Sequence, residues 1–159
     1  MGQSCRYVRL SLAEFGALSL ECVVIWGLNN AGQVVNLALA GSASQRSTHN
    51  DDTAQYGPQR AKNIIITGYD ISFTQEMPKS WWQLDLGQVR ALNTVLVSNF
   101  CSAPQAYQAE SLRIELSDDG NTWRLLHDQN NPGQLETKFE RILGDLKRAV
   151  AQLSLRSSR

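Results

Sequence analysis

The chain has 159 residues, of which 42% are hydrophobic and 19% are charged. This composition is typical of a globular domain with a buried core and excludes a wholly disordered chain. Fifteen basic residues balance fifteen acidic ones, so no net charge attracts nucleic acid or an anionic membrane. We therefore expect neither nucleic-acid binding nor membrane insertion.

The start of the chain and its cysteines predict neither a secretory signal nor a metal site. Residues 1–6 lack the charged and then apolar order of a secretory signal. No apolar run approaches the roughly 18 residues that span a bilayer. We expect a soluble chain without a signal peptide or transmembrane segment, and its compartment stays open. Cys5, Cys22 and Cys101 are too few and too scattered for a zinc site or a disulfide framework.

The first part of the chain predicts strands. Residues 6–12 alternate, with Val8, Leu10 and Leu12 on one face, as in a strand with one buried side. Residues 18–26 form a nearly continuous apolar run, which is typical of a strand covered on both faces. The polar residues that follow predict a connection at 28–35.

Residues 49–80 show few regular patterns and many Asp, Gly, Pro, Ser and Thr residues. Such a composition predicts long loops, and loops on a rigid scaffold commonly carry binding sites. His49 has no partner at a metal-ligand spacing, so we expect it to face solvent. We expect a binding site, if the chain has one, within these loops and within residues 98–108.

Two segments of the second half give the strongest signals. Residues 80–87 alternate, with Trp82, Leu84 and Leu86 on one face and Trp81 on the other. Residues 113–123 alternate as well until Asp-Asp-Gly-Asn, which predicts a tight hairpin turn. A further strand is predicted at 92–97.

The tail allows two interpretations. Apolar residues from Phe139 to Leu153 recur at spacings of three and four, which favours an amphipathic helix. Residues 149–155 also alternate, which favours a strand. In addition, Leu10-Ser11-Leu12 recurs as Leu153-Ser154-Leu155. Helix and strand both stay open for residues 139–155.

Several of these segments resemble a known family. Trp81–Gly87 and Ser117–Trp123 are similar to the two most specific motifs of discoidin-like domains, the coagulation-factor C-type modules with a galactose-binding β-sandwich. Asn36–Thr48 resembles the opening of a discoidin or fucolectin-type module. The resemblance implies an all-β, discoidin-like (jelly-roll) antiparallel β-sandwich, with or without a C-terminal helix.

The order of the segments departs from the family pattern. Residues 1–27 resemble the closing strands of a module, yet here they come first. They are permuted, swapped into a neighbour, or taken from a preceding repeat. A connection at 28–35, the main sandwich at 36–134 and a tail at 135–159 complete the predicted division. A homo-oligomer or a domain-swapped dimer is compatible with this order.

In fucolectin-like relatives, one His and two Arg residues hold the sugar. The resemblance places Phe73 at the His position and Phe100 at one Arg position, so that triad is absent. A surviving ligand site would have to use aromatic and amide groups. The residues that we predict for it are Tyr69, Asp70, Phe73, Trp81, Asn99 and Phe100.

Calcium often stabilises the long loop of such relatives. Here Asn63 stands where an Asp is expected, which weakens a site that needs several carboxylate oxygens. Asn63, Asp51 and Asp52 could still hold a calcium ion together with backbone carbonyls. Calcium is therefore a candidate cofactor, and these three are the candidate metal ligands.

No motif of phosphate binding, zinc proteolysis or serine hydrolysis occurs in the sequence. We predict a non-catalytic, lectin-like, carbohydrate-binding module that serves as an accessory domain of a larger bacterial-type protein, with a glycan or small sugar as its ligand. The alternative is a protein-interaction or assembly domain of the same fold that binds no sugar.

Overall fold

The computed structural model describes residues 3–62, 70–99 and 111–128, and these residues form an antiparallel β-fold with little helix. The predicted all-β, discoidin-like sandwich class is confirmed. The predicted helix or strand at 139–155 lies outside the described residues. The strands are β1 (Gln3–Leu12), β2 (Phe15–Gly16), β3 (Ser19–Leu28), β4 (Val34–Asn36), β5 (Ser42–Gln45), β6 (Ser72–Phe73), β7 (Met77–Pro78), β8 (Trp81–Asn99), β9 (Leu112–Ser117) and β10 (Arg124–Asp128).

One large sheet organises the described residues. Its strand order is β10-β9-β1-β8-β3-β4, with β5 paired to β8 and β6 paired to β3. The short strands β2 and β7 form a separate two-stranded sheet. Between β5 and β6 the chain forms a 3-10 turn at His49–Asp51, the helix α1 (Thr53–Tyr56) and a 3-10 helix at Pro58–Lys62. These short elements occupy the predicted loop region.

The alternation in β1 and β8 buries one face of each strand. Val8 and Leu10 of β1 have no exposed surface, and neither do Trp82 and Leu84 of β8. Val23 and Ile25 of β3 belong to the same apolar cluster. The predicted inward positions of residues 6–12 and 80–87 are therefore confirmed.

β8 is longer than the sequence pattern suggests, because it joins the predicted strands at 81–87 and 92–97. Gly87 has a positive φ of 79°, which a residue without Cβ adopts without strain. The Asp85 carboxylate accepts the Gly87 N–H at 2.7 Å and stabilises this bend. β8 therefore continues past Gly87 and pairs with β1 on both sides of it, with a shift in register between them.

The early strands β1 and β3 pair with β8 of the same chain. Leu10 lies opposite Trp82, and Val23 lies opposite Val97. The N-terminal strands thus complete the sheet of the later residues. The division into segments 1–27, 28–35, 36–134 and 135–159 stays a prediction.

β9 and β10 form the predicted hairpin, and Asp119 stabilises its turn. The Asp119 carboxylate accepts the backbone N–H groups of Asn121 and Thr122, both at 2.8 Å. These hydrogen bonds lower the pKa of Asp119 to about 2, because they favour the charged carboxylate. Gly120 supplies the positive φ that the turn needs.

The thiol of Cys5 lies in the core. Its residue has no exposed surface, and burial raises the pKa of the thiol to about 12. Cys22 is buried too, with a raised pKa for the same reason. Within residues 3–62, 70–99 and 111–128, no helix is long and apolar enough to cross a membrane.

Candidate functional site

The loops between β5 and β7 form a rim, defined here as residues 49–62 and 70–75. Gln45, at the end of β5, connects its parts: its Nε2 donates to the Tyr56 carbonyl at 3.1 Å, and its Oε1 accepts the Ser72 hydroxyl at 2.6 Å. The buried Trp82 donates its indole N–H to the Pro58 carbonyl at 2.8 Å. The core strands therefore fix the rim through directional hydrogen bonds, and this suits a binding surface that must be formed in advance.

Three rings pack together within the rim. The ring centroids of His49 and Phe73 lie 4.5 Å apart, and Tyr56 makes edge contacts with both at 5.2 and 5.9 Å. His49 and Phe73 are half-buried. His49 was expected to face solvent, but only part of its surface does so, because its ring packs against Tyr56 and Phe73. Phe73 lies in the predicted loop but packs against these neighbours.

A cleft of about 330 Å³ opens in the rim. Its lining consists of Thr53, Gly57, Pro58, Gln59, Arg60 and Asp70. The Arg60 guanidinium forms an ion pair with Asp70 and also donates to the Ala54 carbonyl. The two paired side chains keep 42% and 34% of their surface exposed. The cleft thus presents a charged donor and a charged acceptor to solvent.

Asp70 is the predicted site residue that the structure places in this cleft, whereas the sequence interpretation missed Arg60. The pattern of residues 57–62 contains no signal for a ligand contact. Only the fold brings residues 60 and 70 together, across the segment that separates them. The one sequence feature that could have indicated Arg60 is its position in the same predicted loop region as Asp70, residues 49–80.

The predicted metal ligands Asp51 and Asp52 have structural partners. Asp52 accepts the backbone N–H of Gln55 at 3.0 Å and caps the start of α1. Asp51 accepts the side-chain amide of Gln75 at 3.2 Å. Across the described part of the chain, no three His, Cys, Asp or Glu residues are close enough to share a metal ion. Asn63, the third predicted ligand, lies outside the described residues.

Trp81 belongs to a different surface from the cleft. Its side chain leaves β8 on the face opposite the core, where the Arg9 guanidinium lies 5.1 Å from its ring centroid. The same guanidinium lies 3.7 Å from the ring of Trp123 and donates to Gln83 at 2.7 and 3.1 Å. We call Arg9, Trp81, Gln83 and Trp123 the polar ladder. Cation–π contacts of this kind stabilise a surface without any ligand.

Asn99 and Phe73 flank the start of β3. Asn99 ends β8 and pairs with Leu20, while Phe73 pairs with Ser19 on the other side of β3. Their backbones are therefore two strand spacings apart, about 10 Å. The buried Glu21 accepts the Ser98 hydroxyl at 3.3 Å at the same end of the sheet. Tyr69 and Phe100 lie outside the described residues.

Comparison with protein families agrees with this architecture. Residues 67–143 match the family model of the F5/F8 type C group described as NedA-like, galactose-binding domain. Residues 67–143 are thus similar to the galactose-binding domain of this family, and the antiparallel sheet is consistent with a discoidin-like fold. Domains of this galactose-binding-like family are generally non-catalytic. No curated protein and no solved structure matches the chain significantly.

Proposed function

We propose that this discoidin-like domain is a non-catalytic, lectin-like module that binds a glycan or small sugar at the rim cleft. The observation that supports this is the Arg60–Asp70 pair, which lines a cleft in the rim and keeps both charged groups accessible to solvent. A guanidinium donates to sugar oxygens and a carboxylate accepts from sugar hydroxyls, so the pair can bind a diol from both sides.

The volume of the cleft favours a small ligand. Its volume of about 330 Å³ lies at the lower end of the range for ligand sites. Binding is expected to be weak, because the exposed polar groups exchange hydrogen bonds with water for hydrogen bonds with sugar. We propose Tyr69, Phe73, Asn99 and Phe100 as further contacts around Asp70. Trp81 would contribute only to a ligand that extends onto the sheet face.

The proposed role is that of an accessory domain in a larger bacterial-type protein, in which the module brings a catalytic or structural partner to a glycan. The family match supports this role because the family is generally non-catalytic. Calcium, held by Asp51, Asp52 and Asn63, belongs to the proposal as a stabiliser of the loop. The sugar contacts themselves come from Arg60 and Asp70.

A glycan array with the purified chain tests the proposal, once with calcium and once with a chelator. We expect reproducible binding to neutral sugars, including galactosides. Arg60→Gln should weaken binding to the best ligand about 10- to 100-fold, because a hydrogen bond from a charged donor is lost. Isothermal titration measures this change.

Arg113→Gln is the matched control for this variant. Arg113 is also 42% exposed and also pairs with one carboxylate, that of Asp128, but it lies on β9. Its substitution should leave sugar affinity unchanged. A melting curve for each variant shows that Arg60→Gln keeps the fold although its bond to Ala54 is lost. A blank array with folded protein would overturn the proposal.

A second candidate function is an assembly domain of the same fold, and one surface favours it. Trp26 and Leu28 of β3 and Val34 of β4 point away from the core with 39%, 36% and 55% of their surface exposed. We call these three residues the apolar patch. Clusters of exposed apolar side chains often mark surfaces that contact other proteins. Sedimentation at increasing concentration, with and without Trp26→Ser, distinguishes this function from sugar binding.

A further inference from the structure

The polar ladder places two indole rings on the outer face of the sheet, the face that points away from the core. The Cζ atom of Arg9 lies 5.1 Å from the ring centroid of Trp81 and 3.7 Å from that of Trp123. Both indoles are half-buried, so each keeps part of its surface in contact with solvent. Because the guanidinium lies between the rings, it fixes their positions before any ligand arrives.

Polar groups beside the rings have unused hydrogen-bonding capacity. Gln83 accepts both hydrogen bonds from Arg9 with its Oε1, and its side-chain NH2 donates to no group in the described part of the chain. Glu115 accepts the Ser11 hydroxyl with Oε2 at 2.7 Å, and its Oε1 accepts nothing from the same residues. Gln83 and Glu115 are both partly exposed. The face thus offers amide donors and a carboxylate acceptor to a ligand.

The strand register places these groups in one row across the sheet. Gln83 of β8 lies opposite Arg9 of β1, and Arg9 lies opposite Glu115 of β9. On the other side of β8, the exposed Ser44 of β5 lies opposite Gln83. Neighbouring strands are about 4.8 Å apart, so the row from Ser44 to Glu115 spans about 14 Å. This length exceeds a single sugar ring and suits a chain of linked sugar units that lies across the strands.

The charged side chains of this face balance one another. Three arginines each lie beside one carboxylate, in the pairs Arg6–Asp85, Arg9–Glu115 and Arg113–Asp128. The first and third are ion pairs at 2.9 and 3.0 Å. The three pairs leave no excess charge among them, so they do not attract a polyanion such as nucleic acid. The ligand that fits this face is therefore neutral.

The chemistry of the face suits a sugar better than a protein segment. β8, β1 and β9 are interior strands, so their backbone groups already bond to neighbouring strands and cannot accept another strand. A sugar ring presents C–H groups on its faces and hydroxyl groups on its rim. It can therefore stack on an indole and at the same time exchange hydrogen bonds with amide and carboxylate groups.

We propose that the outer face of β5, β8, β1 and β9 is a second carbohydrate-binding surface, which binds a neutral oligosaccharide along the row from Ser44 to Glu115. Sugar rings stack on Trp81 and Trp123, and the Gln83 amide donates to sugar hydroxyls. None of the residues that line the rim cleft belongs to this surface. The cleft takes one small sugar, whereas the sheet face takes a chain of linked units. The two sites share only the chemical class of their ligand.

Affinity electrophoresis in gels that contain galactan, xylan or mixed-linkage glucan tests this surface with the full chain. Every variant is made in the Arg60→Gln background, so that the rim cleft contributes equally to each. Gln83→Glu keeps an oxygen that accepts from Arg9 but removes the amide donors. We expect it to melt no lower than the parent and to bind the best polysaccharide about 3- to 10-fold more weakly. Trp81→Ala should weaken binding about 10-fold, because a stacking ring is lost.

Gln88→Glu is the matched control, because Gln88 is an exposed glutamine of the same strand that lies beyond Gly87 and outside the row. It should bind the polysaccharide as the parent does. Equal weakening in Gln83→Glu and Gln88→Glu would overturn the proposal, and so would the failure of every neutral polysaccharide to retard the parent. Single sugars are titrated separately against the wild type and Arg60→Gln, so that failure of the cleft is distinguished from failure of the sheet face.

Two further results would assign the face to another occupant. Retardation by acidic polygalacturonate alone would contradict a neutral ligand. A concentration-dependent dimer in sedimentation that Trp81→Ala abolishes would show that a second copy covers the face, and the proposal would then be wrong.

Discussion

On the sheet face that points away from the core, β1 and β8 present side chains that bind one another, whereas β3 and β4 present exposed apolar side chains. In the polar ladder, Arg9 contacts two indole rings and one amide. In the apolar patch, Trp26 and Val34 are 39% and 55% exposed. In both surfaces, outward-facing side chains alternate with buried ones along each strand. The difference shows that an outward-facing side chain can be held by neighbours in the same sheet, as in the polar ladder. It can also stay exposed and available to a partner, as in the apolar patch.

The largest expected effect comes from the polar ladder. Arg9→Ala should lower the free energy of unfolding by about 1–2 kcal/mol, because cation–π contacts and hydrogen bonds to Gln83 are lost together. Urea denaturation measures this change. Arg113→Ala, which removes a surface ion pair on the next strand, is the control and should cost at most about 1 kcal/mol. If both variants lose the same free energy of unfolding, the polar ladder stabilises the fold no more than an ordinary surface ion pair does.

A smaller effect is expected from the turn that precedes Trp123. Asp119 has a pKa of about 2 in the folded chain, below the value of about 3.9 for an unfolded Asp. Its contribution to stability is therefore complete above about pH 4 and is lost as the pH falls through about 2. We expect Asp119→Asn to flatten the fall of the melting temperature in this window. Asp118→Asn in the same turn is the control, and an equal flattening there would contradict the assignment.

The smallest effect on stability is expected in the apolar patch. Trp26→Ser should change the free energy of unfolding by no more than about 0.5 kcal/mol, since the ring is partly exposed. Sedimentation should instead show weaker self-association if the patch contacts a partner. Leu125→Ser on β10, which is 58% exposed, is the matched control. A large loss of stability in Trp26→Ser would show that this side chain supports the fold.

Much of the sheet was predictable because its signals are local. The inward positions of Trp82, Leu84 and Leu86 follow from a period of two, and the hairpin follows from Asp-Asp-Gly-Asn. The continuation of β8 through Gly87 was not predicted, since glycine usually indicates a break. It depends on a hydrogen bond from Gly87 to the Asp85 carboxylate, which alternation does not reveal.

The site was less predictable, because its contacts are made by residues that are distant in the sequence. Arg60 meets Asp70, and His49 packs on Phe73, only after β5 and β6 have joined the sheet. Asp70 was found because a family loop resembles its neighbourhood, whereas Arg60 has no such signal. The roles of Asp51 and Asp52 in capping and bonding the loop also depend on backbone geometry.

The buried thiol of Cys5 is a chemical probe for the opening of the sheet. Burial raises the pKa of this thiol to about 12, so Cys5 stays a neutral thiol in the core at pH 8. An alkylating reagent can therefore reach Cys5 only when β1 separates from β8, where Cys5 lies opposite Arg90. The rate of alkylation at this residue, followed by mass spectrometry, then measures the opening of the first strand under native conditions: it reports the opening rate when the reagent reacts faster than the strand closes, and the open fraction when it reacts more slowly.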